Sequence, residues 1–328
     1  MCTKLLLIQT LGHFFVDAAC AAVVISGTST LSESAIFFIL YNGLAFCLQP
    51  IAGIILDNVK KITPRQYILI SYTLLLLGFL PAFNLWLKVL LVGTGNCLFH
   101  VGSGTLILTN SNKKLKPLGI FVSSGAVGLT LGTMFANLWI CHTIIIIALL
   151  TLIIMNVYLA SSKIFLHSGK NYLGIAISLC FCVAIRSFLG FIPLIQFIKT
   201  PGIILLITMG VFLGKSLGGI LCDRFGIQKT VIISTIFVML LFLFSFNNPY
   251  LWTIVQMIVN LSMPITLYLM WRSMPKYPAF SFGLAAACLV IGLLATFPIT
   301  NLKIPSACFL FLFMLNSVLV LLAERKLK

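Results

Sequence analysis

Acidic residues are almost missing from this sequence: five Asp and Glu in 328 residues, with charged residues of both signs making up only 8%. A soluble globular chain carries roughly a quarter of its residues as charge, enough to wet its exterior. Here 61% of the residues are hydrophobic, far more than one interior can hide, so the excess has to face lipid. The HExxH, GxSxG and phosphate-loop patterns are lacking as well, along with any paired intramembrane carboxylates. Their absence argues against a membrane-embedded hydrolase and against a nucleotide-driven pump. No catalytic residue, metal or cofactor is expected, and no enzymatic activity. A receptor or scaffold role commonly brings a soluble tail or long loop, and none is expected here.

Cysteine is plentiful at ten residues but scattered. The tightest pair, Cys180-x-Cys182, has no His or Cys partners at zinc or redox spacing. Packed, reduced thiols are expected. The opening Met1-Cys2-Thr3-Lys4 resembles the start of a signal peptide, yet Asp17 interrupts the apolar run behind it, so the first segment is expected to remain as a helix.

Spanning the hydrocarbon core takes roughly 20 apolar residues. Apolar stretches of about that length recur at 5–27, 31–55, 66–83, 86–109, 117–138, 140–160, 171–198, 202–221, 230–247, 250–270, 280–300 and 304–322. The expected fold is therefore an all-α membrane protein of twelve transmembrane helices. The expected division is a six-helix bundle over 1–162, a short cytoplasmic linker over 163–170 and a second six-helix bundle over 171–328.

The basic residues sort by side. One set of connections and termini holds Lys4, Lys60, Lys61, Arg65, Lys113, Lys114, Lys116, Lys163, Lys170, Arg224, Lys229, Arg272, Lys276, Arg325, Lys326 and Lys328. The other set holds only Lys88, Lys199 and Lys303. Sixteen against three is a positive-inside pattern, which places both termini in the cytoplasm of a multi-pass cell-membrane protein. A missed helix would swap every later loop and erase the bias. The net charge of +16 is thereby explained without nucleic acid, and the expected partners are lipid, a small solute and protons, with the chain a monomer.

Sliding the chain by 166 residues lays Phe46 on Phe212, Gly53 on Gly219, Ile54 on Ile220 and Asp57 on Asp223. Internal duplication is a recurring design of transporters. The run Gly219-Ile-Leu-Cys-Asp223-Arg224-Phe-Gly226-Ile-Gln-Lys229 resembles the signature loop of the major facilitator superfamily, with Ile227 at one usually basic position. The first copy keeps Gly53, Asp57, Lys60 and Lys61, has Asn58 for the arginine and lacks the second glycine. Motif similarity covers these two loops; similarity in segment number covers the whole chain. The resemblance implies two pseudo-symmetric bundles whose helices 2, 5, 8 and 11 meet, and an aspartate at each loop that latches one access state. By that resemblance Asp57 faces the start of helix 11 near Ser281–Gly283, and Asp223 faces the start of helix 5 near Pro117–Gly119. A plain topogenic loop with a capping aspartate is the alternative.

Glycines gather where sliding contacts would use them: Gly210, Gly214 and Gly218 on helix 8, Gly125, Gly128 and Gly132 on helix 5, and Gly283 and Gly292 on helix 11. Ordinary close packing inside one bundle is the competing use. Gly119, Gly128 and Gly132 also partly resemble the helix-5 pattern of antiporters, without its proline and closing glycine pair.

Ionisable groups in lipid are costly, about 2.5–3.5 kcal/mol each on insertion scales, and this chain has few. His13 and Asp17 are four apart on helix 1; Asn96 and His100 are four apart on helix 4, with Ser103 nearby. Arg186 lies mid-way along helix 7 and Lys215 within helix 8. Milder polar groups are Asn42 and Gln49 on helix 2, Gln196 on helix 7, Gln256 and Asn260 on helix 10, and Asn316 on helix 12. The resemblance implies that helices 1, 4, 7 and 10 line a central cavity. His13-Phe-Phe-Val-Asp17 together with Phe99-His100 is similar to the fosmidomycin-resistance branch of the superfamily.

The expected function is secondary active transport of a small organic solute, anionic or zwitterionic, by proton-coupled alternating access. Asp17 with His13 or His100 would carry the proton. Arg186 and Lys215 would hold an anionic group, with Asn96, Gln49, Asn42 and Asn260 lining the solute path. Internal pairing of Asp17 with Arg186 is the structural alternative. Gly53, Asp57, Lys61, Gly219, Asp223, Arg224, Gly226 and Lys229 would form the gating loops. Drug efflux by proton exchange, and a receptor or scaffold role, are the competing functions.

Overall fold

The computed structural model describes residues 3–28, 30–159, 169–196, 200–241, 248–296 and 305–328. Among them every regular element is helical, and twelve helical segments follow one another. They are α1 (Thr3–Ser26), α2 (Leu31–Asn42, a π-helical turn Gly43–Cys47, then Gln49–Asn58), α3 (Pro64–Gly78), α4 (Leu85–Asn110), α5 (Lys116–Met134) and α6 (Trp139–Tyr158). The second six are α7 (Leu173–Gln196), α8 (Pro201–Phe225), α9 (Ile227–Leu241), α10 (Pro249–Asn260 then Ser262–Ser273), α11 (Pro278–Leu294) and α12 (Ser306–Leu327). Nine are long and apolar enough to cross a bilayer, while α3, α9 and α11 have 15, 15 and 17 described residues.

The starts are written locally. Thr63 accepts the amide of Gln66 while the Gln66 side chain reaches back to the Thr63 amide, a capping box ahead of Pro64. Asn84 caps α4, Thr200 caps α8 ahead of Pro201, and Asn248 caps α10 ahead of Pro249. Each supplies an acceptor to a first-turn amide that has no partner within its own helix. The expected spans shift accordingly: α3 begins at Pro64 and ends at Gly78 instead of running 66–83, and α12 continues to Leu327 instead of ending at 322. Residues 242–247 and 297–300, expected at the ends of helices 9 and 11, lie outside the described residues, as does most of the 163–170 linker.

Two compact units result. The first comprises 1–112, 124–167 and 277–287; the second comprises 113–123, 168–276 and 288–328. Each therefore takes a short stretch from the other half of the sequence: the start of α11 goes with the first unit, the start of α5 with the second. In the first unit α3 lies along α4, where Gly95 and Gly102 present bare backbone to Ser71 and Pro64. Tyr72, Phe99, Ile68, Leu75, Ile107 and Leu108 are fully buried there. In the second, Trp252 and Phe309 meet edge to face at 5.1 Å within a cluster that includes Leu189, Val255 and Phe313. Outward faces stay apolar, with Trp139, Tyr158, Phe181 and Phe311 all more than 60% exposed. Lipid, not water, suits such a surface.

Candidate functional site

Helix periodicity sets the first-unit site. Gln9, His13 and Asp17 recur every four residues on α1, and Asn96, His100 and Ser103 recur at four and three on α4, so each set forms a stripe down one face. The two stripes face each other. His13 Nε2 lies 3.3 Å from Asp17 Oδ2 and His100 Nε2 lies 3.8 Å from Asp17 Oδ1. The two Nε2 atoms are 3.0 Å apart. Asn96 donates to Asp17 Oδ1 at 3.0 Å. One turn along, Ser103 donates to Gln9 Oε1 at 2.7 Å and Gln9 donates to Asn156 Oδ1 at 2.8 Å. All six residues of the two stripes but Asp17 are buried, and the Asp17 side chain is 15% exposed.

The tautomers follow from the neighbours. His100 Nδ1 sits 3.0 Å from the Asn96 carbonyl oxygen, which can only accept, so Nδ1 carries hydrogen and a neutral His100 turns its Nε2 lone pair toward His13. With that tautomer, a hydrogen on His13 Nε2 would lie between the His100 lone pair and the Asp17 carboxylate. Donor atoms of His13, Asp17 and His100 all lie within 4.8 Å, close enough for a metal ion. Tetrahedral zinc at roughly 2.0 Å would hold two nitrogens about 3.3 Å apart; the shorter 3.0 Å separation is that of a hydrogen bond. Gly125 on α5 makes room: a Cβ there would stand 2.3 Å from both Asp17 Oδ2 and His13 Nε2.

Arg186 belongs to the second unit. It is 5% exposed, and its Nε is buried without a hydrogen-bond partner among the described residues. Asp17 finds His13, His100 and Asn96 within its own unit, so the carboxylate is satisfied without a cation from α7. Lys215 is half-buried on α8. The milder polar groups mostly serve their own helices. Asn42 and Gln49 bracket the π-helical turn and donate to Phe38 and Ala45 carbonyls, each at 2.7 Å. Asn260 donates to the Gln256 carbonyl at 2.9 Å. One hydrogen of each amide is thereby used within its own helix, and Gln49 Oε1 is buried without a partner among the described residues. Asn316 donates to the Cys182 carbonyl at 2.6 Å, and the Gln196 side chain lies outside the described residues.

The two loop aspartates take matching positions. Asp57 Oδ1 accepts from Ala279 N at 3.1 Å and Oδ2 from Phe280 N at 2.8 Å. Asp223 Oδ1 accepts from Leu115 N at 2.8 Å and Oδ2 from Lys116 N at 3.0 Å. Each carboxylate thus caps the start of another helix, where unpaired amides and the helix dipole favour a negative charge. Both contacts fall a little earlier than the expected Ser281–Gly283 and Pro117–Gly119, because Pro278 and Lys116 begin their helices there. Around each carboxylate two glycines bring backbones together. A Cβ on Gly53 would stand 2.5 Å from Ala279 O, and one on Gly283 would stand 2.4 Å from Gln49 O. Likewise a Cβ on Gly219 would stand 2.4 Å from Leu115 O, and one on Gly119 2.5 Å from Lys215 O. Gly226 has φ +86°, which a side chain would strain; the first loop has Lys60 at the matching position, and its helix closes on Val59 with φ −93°. Lys61, Arg224 and Lys229 are exposed, with Arg224 over the Phe225 ring at 5.2 Å.

Other glycines have the competing use. Gly210, Gly214 and Gly218 lie against the carbonyls of Thr253, Met257 and Leu261, so they seat α8 on α10 in one unit. Gly128 and Gly132 lie against the carbonyls of Phe14 and Ala18 and seat α5 on α1. Gly292 does the same for α11 on Ala184 of α7. Gln9 and Asn156 are the members of the polar stripe that sequence reasoning missed. Gln9 had a signal, standing four residues before His13; Asn156 had none, being isolated on α6.

No family model and no curated sequence matches the chain. Solved structures do. A major facilitator superfamily transporter, FucP, in the outward conformation superposes with a TM-score of 0.73 at 12% identity, covering 99% of each chain. A variant of the E. coli fucose:proton symporter FucP gives 0.74 at 13% identity, covering 98% of this chain and 99% of that one. A bacterial homologue of the iron transporter ferroportin, outward-facing, gives 0.65 at 15% identity, covering 99% and 98%. Twelve helices in two related sets of six, matched end to end by these structures, give this chain the major facilitator superfamily fold.

Proposed function

We propose that the chain is a secondary active transporter that moves a small anionic or zwitterionic solute across the cell membrane, coupled to protons. The observation that carries the reading is the buried cluster of Asp17, His13 and His100. An ionisable carboxylate in a membrane helix is costly unless it has work to do, and this one is held by two imidazoles that can hand it a proton at physiological pH. Asn96 holds the carboxylate in place. Arg186, supplemented by Lys215, holds the anionic end of the solute, and the remaining polar atoms of Gln49, Asn42 and Asn260 serve the same path.

Alternating access needs contacts that form in one state and break in another. The Asp57 contact to Ala279 and Phe280, and the Asp223 contact to Leu115 and Lys116, are suited to that, since each is made by two hydrogen bonds to amides at a helix start. The two sequence halves, 1–162 and 171–328, are the bodies that move, with both termini cytoplasmic and the chain acting alone. Efflux by proton exchange is the second direction of the same chemistry. Gly128 and Gly132 pack α5 on α1, a use that carries no preference for export.

Uptake into proteoliposomes under an imposed pH gradient tests the reading. Wild-type protein is expected to concentrate an organic acid or zwitterion when the gradient is inward and to release it when the gradient is reversed. Asp17→Asn is expected to lose the response to the gradient in both directions. Gradient-driven accumulation that survives in Asp17→Asn contradicts the assignment.

A further inference from the structure

Arg186 and Gln256 leave two opposite hydrogen-bonding groups unanswered in the interior of the second unit. Arg186 Nε–H is a buried donor without a partner, and Gln256 Oε1 is a buried acceptor without one, among the described residues. Neither residue is at a surface: Arg186 is 5% exposed and Gln256 is 0% exposed. Gln256 is fixed, because its Nε2 donates to the Leu189 carbonyl at 3.0 Å. Its Oε1 would come 3.9 Å from a Cβ on Gly190, ordinary contact distance, so the acceptor stands beside Gly190 on α7. Arg186 is one helical turn before Gly190 and on the same face, roughly 6 Å along the axis at 1.5 Å rise per residue. A cationic donor and a neutral acceptor therefore follow one another down a single stripe of α7, with a glycine leaving the second position open.

A buried guanidinium nitrogen and a buried amide oxygen without partners each carry a cost that a protein rarely leaves standing. Neither acidic residue on the helices of this unit relieves it. Asp223 is spent on the amides of Leu115 and Lys116, and Glu324 is taken by Gln228 and Lys328. What would satisfy both groups at once is a small anion that also carries a hydrogen-bond donor a few ångströms from its charge. A carboxylate alone answers Arg186 and leaves Gln256 Oε1 unpaired; a neutral polyol answers Gln256 and leaves the cation unpaired.

We propose that Arg186 and Gln256 together select a small carboxylate bearing a hydroxyl or ammonium donor, the class of hydroxy acids, sugar acids and amino acids, with Gln256 as the specificity residue. This rests on the proposed transport function and narrows its solute. Recognition by a polar site discriminates strongly against an analogue that lacks the matching group, because the protein's own buried atom is then stranded.

The test is equilibrium binding to purified, full-length protein in detergent. The probes are lactate, gluconate and glutamate, with propionate and hexanoate as acids that lack the donor and glucose as a neutral polyol. Wild type is expected to bind at least one donor-bearing acid roughly 10-fold or more tighter than the plain acid, a factor in keeping with a buried hydrogen bond, and to ignore glucose. Arg186→Gln is expected to lose the acids altogether, and Gln256→Leu to weaken the donor-bearing acid to the level of the plain one. Lactate or gluconate against glutamate separates a hydroxyl from an ammonium donor. Equal binding of plain and donor-bearing acids by wild type overturns the proposal, and that comparison needs no variant to fold. Undiminished discrimination in a folded Gln256→Leu overturns it too. If a neutral or cationic solute is driven by the pH gradient in an Asp17-dependent way while no acid binds, the solute assignment fails and proton-coupled transport stands. Selective binding of the donor-bearing acids without any gradient-driven uptake upholds the solute assignment and removes proton-coupled transport.

Discussion

Asp57 accepts the backbone amide of Phe280 at 2.8 Å, and 166 residues later Asp223 accepts that of Lys116 at 3.0 Å. Both aspartates reach the first turn of a helix from the opposite half of the sequence, and both stand beside a glycine, Gly53 or Gly219, whose absent side chain lets the backbones touch. The two halves of one fold, each repeating the same arrangement, explain why the two contacts agree atom for atom although the second loop resembles the superfamily's signature closely and the first only in part.

The glycines should be harder to replace than the aspartates. Gly53→Ala and Gly283→Ala put a methyl 2.5 Å and 2.4 Å from a backbone carbonyl oxygen, and overpacking of this kind costs about 1–3 kcal/mol. Gly43, with nothing within 4 Å of its Cβ position, is the control. Thermal unfolding in detergent should show a clear drop for Gly53→Ala and Gly283→Ala and little change for Gly43→Ala.

Asp57→Ala and Asp223→Ala leave two helix-start amides each without their acceptor. Loss of a cap costs about 0.5–2 kcal/mol, which falls on whichever access state holds the contact. Transport rate should fall by an order of magnitude in either variant while solute binding survives. Asp57→Asn, which keeps one acceptor oxygen, should be milder than Asp57→Ala in the same uptake assay.

Gly125→Ala should act like a lesion in the proposed proton site. Its methyl would enter the space of Asp17 Oδ2 and His13 Nε2 and push the carboxylate from the imidazoles. Uptake under a pH gradient should be lost, while binding of the solute in the absence of a gradient is retained.

Asn156→Leu removes the acceptor for Gln9 Nε2 in a buried site. An amide left unpaired there costs about 1–3 kcal/mol. The expected outcome is a lowered unfolding temperature, restored in part by Gln9→Leu with Ser103→Ala in the same chain, because Ser103 donates to Gln9 and removing every polar partner is far less costly than removing one.

Much of this fold is legible in the sequence because lipid leaves so few alternatives. A run of apolar residues between caps such as Thr63, Asn84, Thr200 and Asn248 has only one way to satisfy its backbone in a bilayer. The four-residue spacing of His13 and Asp17, and of Asn96 and His100, likewise announces two shared faces. That the faces meet is a matter of packing, which the spacing leaves open. Glycine patterns are the least informative: Gly210, Gly214 and Gly218 signal a close neighbour without naming it, and the neighbour is α10. Asn42 and Gln49 read as solute-facing because amides in lipid are costly, and each also gives a hydrogen to a carbonyl one turn back in its own helix, Phe38 and Ala45. Asn156 becomes visible only through its partner Gln9, far away in sequence.

Proton movement is the most direct test of the cluster on α1 and α4. Proteoliposomes containing the wild-type protein and an entrapped pH-sensitive dye, with no pH gradient at the start, are given an inwardly directed gradient of a transported acid. Coupled proton movement should change the internal pH with the solute, and His13→Gln, His100→Gln and Asp17→Asn should abolish the change while binding persists. Solute entry in the wild type with no accompanying proton flux would contradict proton coupling at these residues.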